Sequence, residues 1–275
     1  VQSLLSTAVA HVVGHPVSVI GASRTDAGVH AKGQVCHFDT TALQIPVEGL
    51  RLAVNAKLPG DVAVLEMEQT RPDFHAIYDA VHKRYQYVVW ARSNRNVFME
   101  DLAFHRWLPM DFERMRAAAR HFVGEHDFES FARPGHGRET TVRTVTDCQV
   151  SRRGPLIVIG VAGKGFLWNQ VRIMAGTLVE VGLGRFAPED IPRILRARDR
   201  RDAGSTAPAC GLYLQWIQHS DVSLRWPPRP TGTSAARASA DVGGGNDRRA
   251  SEGEATPGAL AEPASQLDDD FSPAE

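Results

Sequence analysis

Apolar residues recur at helical spacing over Gln2–Val13, where Leu4, Leu5, Ala8, Val9 and Val12 share one face. Short apolar or alternating runs at 17–21 and 34–39 predict strands. Residues 46–56 open with a proline suited to a first helical turn and carry Val47, Leu50 and Val54 at helical spacing. The runs 62–68 and 84–91 predict strands again. A second round follows, with helices at 111–122, 166–181 and 188–196 and strands at 142–151, 156–162 and 212–217. Two rounds of similar size predict an α+β fold of two similar halves, each pairing helices with an antiparallel or mixed sheet. The boundary between them falls near residue 100, giving halves at 1–100 and 101–226.

From Pro227 onward the pattern stops. The last segment, 227–275, holds only four large apolar residues, Val242, Leu260, Leu267 and Phe271, among Pro, Gly, Ser, Ala and charge. Such a segment buries too little surface to offset the entropy of ordering, which predicts a disordered tail. It also skews the charge. The whole chain of 275 residues has a formal charge of −1. The tail carries four Arg against nine Asp or Glu, so the first 226 residues hold 27 basic and 23 acidic side chains, a net of +4. A mildly basic body permits RNA binding without demanding it. No run approaches the roughly 20 apolar residues of a membrane span. Cys36, Cys148 and Cys210 lie far apart and fit no metal-ligand spacing, which predicts reduced thiols in a cytoplasmic protein.

The densest chemistry lies between the first two predicted strands, in Gly21-Ala22-Ser23-Arg24-Thr25-Asp26-Ala27-Gly28-Val29-His30-Ala31. Arg24, Thr25, Asp26 and His30 fall within seven positions, on a loop held by strands at both ends. Taken alone, Arg24-Thr25-Asp26 also fits a turn with an internal ion pair, since surface pairs are ordinary. Asp26, His30 and His37 fit a zinc site of a metal-dependent hydrolase, although no further histidine or carboxylate supplies a fourth ligand or a base.

The loop does not stand alone. Arg24 to Ala31, continued by Gly33-Gln34-Val35 and His37-Phe38, resembles the active-site loop of the TruA family of tRNA pseudouridine synthases. Lys83-Arg84-Tyr85-Gln86-Tyr87 resembles that family's second motif. Gly124-Glu125-His126-Asp127-Phe128, with Ser130-Phe131, is similar to its His-Asp-Phe segment. The stretch from Gly165 through Phe166-Leu167-Trp168-Asn169-Gln170-Val171-Arg172 to Gly176 is similar to its third motif. Ala207-Pro208 and Gly211-Leu212-Tyr213-Leu214 resemble its closing strand. The resemblance covers roughly residues 1–217, and its first and third motifs are long and specific.

That resemblance implies the pseudouridine synthase fold, with two halves joined around a central RNA-binding cleft. It implies isomerisation of uridine to pseudouridine in the anticodon stem-loop of tRNA, by a cytoplasmic homodimer whose subunits the RNA bridges, with no cofactor or metal. Asp26 matches the catalytic carboxylate, and Arg172 the cation expected beside it across the cleft. Arg24 matches the residue that fills the space left by a flipped base, and Tyr85 the aromatic that stacks on the uracil. Family members usually begin with a strand ahead of the first helix. Val1 falls inside that helix, so the expectation is a first sheet that lacks this strand and is weakened by its loss.

The residue types suit this chemistry. Breaking the bond from uracil N1 to the ribose and remaking it through C5 requires no redox step and no group donor. One ionised carboxylate can serve as nucleophile, with the base and the ribose both open to its attack. A carboxylate in a partly dry pocket needs a fixed cation to stay ionised. Flipping a base costs roughly a few kcal/mol, and stacking on an aromatic ring returns about 1–3 kcal/mol. Taken alone, Arg172 amid apolar neighbours fits a carboxylate partner and a solvent-facing helical stripe equally. Tyr85 and Tyr87 equally fit a strand core. Two basic clusters also suit phosphates: Arg133, His136, Arg138 and Arg143, and the arginine-rich run 193–201. For the second, arginines complementing a helix C-terminus are the simpler explanation. A non-catalytic RNA-binding protein is the third reading.

Overall fold

The structure is a computed structural model that describes residues 1–135 and 137–220. The predicted tail, 227–275, and His136 of the first basic cluster lie outside the described residues. Within them the chain is α+β with mixed sheets.

The N-terminal elements build a small core of their own. Helix α1 (Gln2–Val13) turns Ala8, Val9 and Val13 inward, and helix α2 (Val47–Asn55) turns Leu50 and Val54 toward them. Val19, Ala42 and Phe38 close this cluster. Strands β1 (Ile20–Gly21) and β3 (Cys36–His37) pair antiparallel as a two-stranded sheet, shorter than the runs 17–21 and 34–39 predict. The run 62–68 forms no strand. Its alternation is present, but the Asn55 side chain takes the place of a neighbouring strand. Asn55 Oδ1 accepts from the Val64 N–H at 2.7 Å and its Nδ2 donates to the Val64 carbonyl at 2.8 Å. Both backbone groups are thereby satisfied without a ladder.

The larger sheet has seven strands. In chain order these are β2 (His30–Ala31), β4 (Ala80–Ala91), β5 (Phe104–Arg106), β6 (Gly124–Asp127), β7 (Val142–Arg153), β8 (Leu156–Gly163) and β9 (Leu212–His219). Their spatial order is β2-β9-β4-β8-β7-β6, with β5 beside the end of β4. The pairings β2:β9 and β4:β5 are parallel and the others antiparallel. The two sheets are therefore unequal, and β4 lies in the middle of the larger one between β8 and β9.

Helix α4 (Gln170–Gly182) is buried along almost its whole length, and helix α3 (Phe112–Arg120) packs on it and on β7. Helix α5 (Asp190–Ala197) buries Ile191, Ile194 and Leu195. Ile159, Ile173, Met174, Leu178 and Leu214 are completely buried where α4 meets the sheet. Nearby, Phe131 meets Phe122 edge-on at 5.0 Å and Phe128 at 6.1 Å. Each such pair adds about 0.5–1.5 kcal/mol beyond the area it buries.

This architecture hangs one loop between the two sheets. Residues 22–29 leave β1 in the small sheet and enter β2 at the edge of the large one. His30 aligns with Tyr213 and Ala31 with Leu214, and the Lys32 N–H donates to the Leu214 carbonyl at 2.8 Å. Gly28 holds φ at +80°, and a Cβ there would come within 3.3 Å of the Ala209 Cβ. Among the described residues, no helix is long and apolar enough to cross a membrane.

Candidate active site

The 22–29 loop is fixed at its start by side chains from the segment leading into β3 and from β4. The Gln34 amide closes on Ser23 from both sides, accepting from its N–H at 3.2 Å and donating to its carbonyl at 2.7 Å. Strand β4 contributes Lys83 and Tyr85, two residues apart and so on one face of the sheet. Lys83 Nζ donates to the Ala22 carbonyl at 2.8 Å, and the Tyr85 hydroxyl lies 2.7 Å from Ser23 Oγ. Four contacts thus set the direction of the backbone just before Arg24 and Asp26.

The opposite wall is the start of α4. The apolar pattern predicts a helix from residue 166, but the helix begins at Gln170. The Leu167 N–H donates to Gln170 Oε1, and Asn169 takes a left-handed conformation at φ 61°, which asparagine tolerates better than most residues. This turn aims Trp168 and Arg172 at the loop. Arg172 Nε donates to the Ala207 carbonyl at 2.8 Å, while its Nη1 reaches Asn169 Oδ1 at 3.2 Å and Asp26 Oδ2 at 3.4 Å. The chain around Ala207 approaches this closely because Gly176 has no side chain. A Cβ there would fall 1.8 Å from the Ser205 carbonyl oxygen.

Asp26 and Arg172 therefore meet, as the third motif implies. Their side chains are 37% and 17% exposed. A pair that open to water contributes at most about 1 kcal/mol to stability, so its value lies in orienting the carboxylate. The other carboxylate oxygen is also engaged, since Trp168 Nε1 donates to Asp26 Oδ1 at 3.3 Å. Sequence reasoning did not single out Trp168, Ser23, Gln34, Lys83 or Asn169. All five lie inside or next to the quoted motifs, and motif proximity was the only available signal.

Tyr85 is buried, with its ring edge-on to Phe166 at 5.3 Å. Burial pushes its hydroxyl's pKa up, the Ser23 hydrogen bond opposes this, and the Asp26 charge adds to it. Tyr87 is buried completely and donates to the Pro208 carbonyl at 2.7 Å. Of the two tyrosines, Tyr85 contacts the loop. Arg24 is exposed and has no hydrogen-bond or ion-pair partner among the described residues. Burial lowers the pKa of both Lys83 and Arg143, and the charge of Arg138 lowers both further. Within the run 193–201, Arg193 pairs with Asp190, Arg198 with Asp127 and Arg201 with Asp199, while Arg200 donates to the Ala203 carbonyl and the Thr206 hydroxyl.

The hydrolase reading fails on geometry. His30 Nε2 is bonded to the Asp101 carbonyl and its ring stacks on Tyr213. His37 Nδ1 accepts from the Ala76 N–H, and its ring lies against His75 and Phe74. Among the described residues, no three His, Cys, Asp or Glu side chains gather as a metal site. The adjacent spacing of Asp26, His30 and His37 in sequence is undone by the turn of the loop.

An α+β frame of mixed sheets that presents a loop carboxylate to a helix guanidinium is consistent with the pseudouridine synthase class. The family model described as tRNA pseudouridine synthase matches residues 1–79 and 118–219. These segments contain Arg24, Asp26 and Arg172, and Tyr85 falls between them. The chain is 42% identical over 214 residues to tRNA pseudouridine synthase A of Acetivibrio thermocellus, covering 78% of this chain and 87% of that protein. It is 44% identical over 219 residues to the protein of the same name from Moorella thermoacetica, covering 80% and 89%. It is 46% identical over 219 residues to that of Limosilactobacillus fermentum, covering 78% and 84%. The chain belongs to the tRNA pseudouridine synthase family.

Proposed function

We propose that this protein isomerises uridine to pseudouridine in the anticodon stem-loop of tRNA, with Asp26 as the nucleophile. The observation that carries the proposal is the Asp26 carboxylate held between Arg172 and Trp168 on a loop strung between two sheets. In the reaction the bond between N1 and C1′ breaks, the uracil turns, and C5 bonds to C1′. N1 gains a proton and C5 loses one, so nothing is consumed. Arg172 orients the carboxylate. Arg24, exposed and without a partner among the described residues, is available to enter the RNA and hold the flipped nucleotide. Tyr85 forms the floor under the uracil. Its burial in the free protein means that an edge or a small displacement of Phe166 must admit the base.

The same reading assigns residues 1–100 and 101–226 to two halves flanking the cleft, linked through β4. It assigns the working unit to a homodimer in the cytoplasm, with no cofactor. The test is incubation of unmodified tRNA with the protein, followed by mapping with a reagent that marks pseudouridine. Asp26→Asn should abolish the mark while tRNA affinity, set mainly by phosphate contacts, stays within about threefold. Substantial turnover by this variant would sink the assignment.

A further inference from the structure

We infer that Trp168 is a positioning residue for Asp26, and that Arg133 at the head of the basic loop fixes Trp168. The inference rests on the synthase reading of Asp26. Its basis is a chain of three contacts. The Arg133 guanidinium carbon lies 4.1 Å from the centroid of the Trp168 ring, the Arg133 N–H donates to the Trp168 carbonyl at 3.0 Å, and the indole N–H donates to Asp26 Oδ1 at 3.3 Å. Trp168 is 43% exposed. An indole that open to water keeps little packing to define its rotamer. Here a cation covers one ring face and a backbone bond ties the two residues together.

The consequence falls on the carboxylate. With Oδ2 on Arg172 and Oδ1 on Trp168, rotation about the Asp26 carboxyl is fixed at both ends. A nucleophile fixed in this way does not lose orientational freedom on the way to the transition state. The donor's chemistry also fits. An indole N–H is neutral and donates only, so it orients an oxygen without offering a proton. A second cation in its place would bind the carboxylate more tightly and weaken it as a nucleophile. Arg133 begins a segment that continues through Pro134 and Gly135 toward Arg138 and Arg143. Contact of RNA phosphate with this segment therefore acts on the same stack that aims the catalytic oxygen.

The experiment uses the full chain, an unmodified tRNA transcript and single-turnover rates at rising protein concentration. Trp168→Phe keeps an aromatic face for Arg133 and removes the N–H. Its maximal rate should fall about tenfold or more, the size expected for a lost bond to a charged group, while half-saturation stays within about twofold. Trp168→His restores a ring N–H and should recover part of that loss. Arg133→Gln should lower the rate in the parent and have no further effect on it in the Trp168→Phe background. Melting temperatures of the variants should match the parent. A parental rate in Trp168→Phe would overturn the inference, as would a loss confined to half-saturation or a fall in melting temperature shared by Phe and His. Full additivity of the two substitutions would overturn the role of Arg133. A parent that marks no uridine would overturn the synthase reading itself, and the inference with it.

Discussion

Arg172 Nη1 and Asp26 Oδ2 are 3.4 Å apart in space and 146 positions apart in the chain. One comes from the first turn of a buried helix and the other from a loop between sheets. The guanidinium has a second fixed contact, from Nε to the Ala207 carbonyl. Arginine suits this task because its planar fork serves two directions at once, which a lysine ammonium cannot reproduce on the same stem. Arg172→Lys should therefore lower the single-turnover rate by at least about a hundredfold, as expected for losing one electrostatic contact in a catalytic site. tRNA affinity should change little. Parental activity in the lysine variant would show that charge alone, without the fork, is sufficient.

Tyr85 contributes a ring and a hydroxyl, and the two can be separated. The hydroxyl bonds to Ser23 Oγ at 2.7 Å and the ring meets Phe166. Tyr85→Phe removes one part-buried hydrogen bond, a loss of about 1 kcal/mol, and keeps the aromatic face. Tyr85→Leu removes the face as well. If stacking is the role of this residue, the leucine variant should lose activity far beyond the phenylalanine variant at similar melting temperature. Equal losses would assign the function to the hydroxyl instead.

Gly176 allows the segment that accepts from Arg172 to lie against α4. Gly176→Ala would place a Cβ 1.8 Å from the Ser205 carbonyl oxygen, a backbone atom that moves only with its whole segment. Overpacking of this kind costs typically about 1–3 kcal/mol. The shift would also carry Ala207 away from Arg172. Thermal melting should fall clearly, and activity should fall below the parent even at low temperature where the variant remains folded. An unchanged melting curve would mean that the 203–207 segment is freer to move than its contacts imply.

Much of this arrangement is legible in the residues. Helix α1 spans Gln2–Val13, the same limits as its periodicity predicts, because one apolar stripe faces one small core. Strand β8 and helix α3 fall within two residues of their predicted bounds for the same reason. The motifs alone point to Asp26 and Arg172, which meet in the folded chain. What the pattern could not carry is pairing. The run 62–68 alternates like a strand, yet Asn55 satisfies its backbone, and no local signal reveals that. Residues 166–169 are apolar enough to read as helix, but Asn169 in the left-handed region breaks the turn. The contact of Trp168 with Asp26 spans 142 positions and depends on that break, so it emerges only from the folded chain. His30 and His37 teach the converse, since nearness in sequence did not bring them to one site.

The last prediction concerns acid. His37 is pulled below its ordinary value of 6.5, first by burial and then by the neighbouring His75 charge, with Asp39 and Asp79 opposing. Its Nδ1 accepts from the Ala76 N–H at 3.2 Å, a bond that protonation of that nitrogen would destroy. His82 is lowered in the same direction by burial, Arg84 and Lys164. The folded state therefore favours the neutral form of these rings. At about pH 7.5 and above folded and unfolded chains both carry them neutral, and they contribute no pH dependence. As pH falls below that value the unfolded chain takes up protons first, so stability is lost down to the depressed folded-state values. Melting temperature should drop between about pH 7.5 and 5.5. His37→Asn keeps an acceptor near the Nδ1 position and removes the titration, so its drop over that interval should be smaller. If the variant and the parent lost stability equally between those two pH values, the environment of His37 would not be the source of the acid sensitivity.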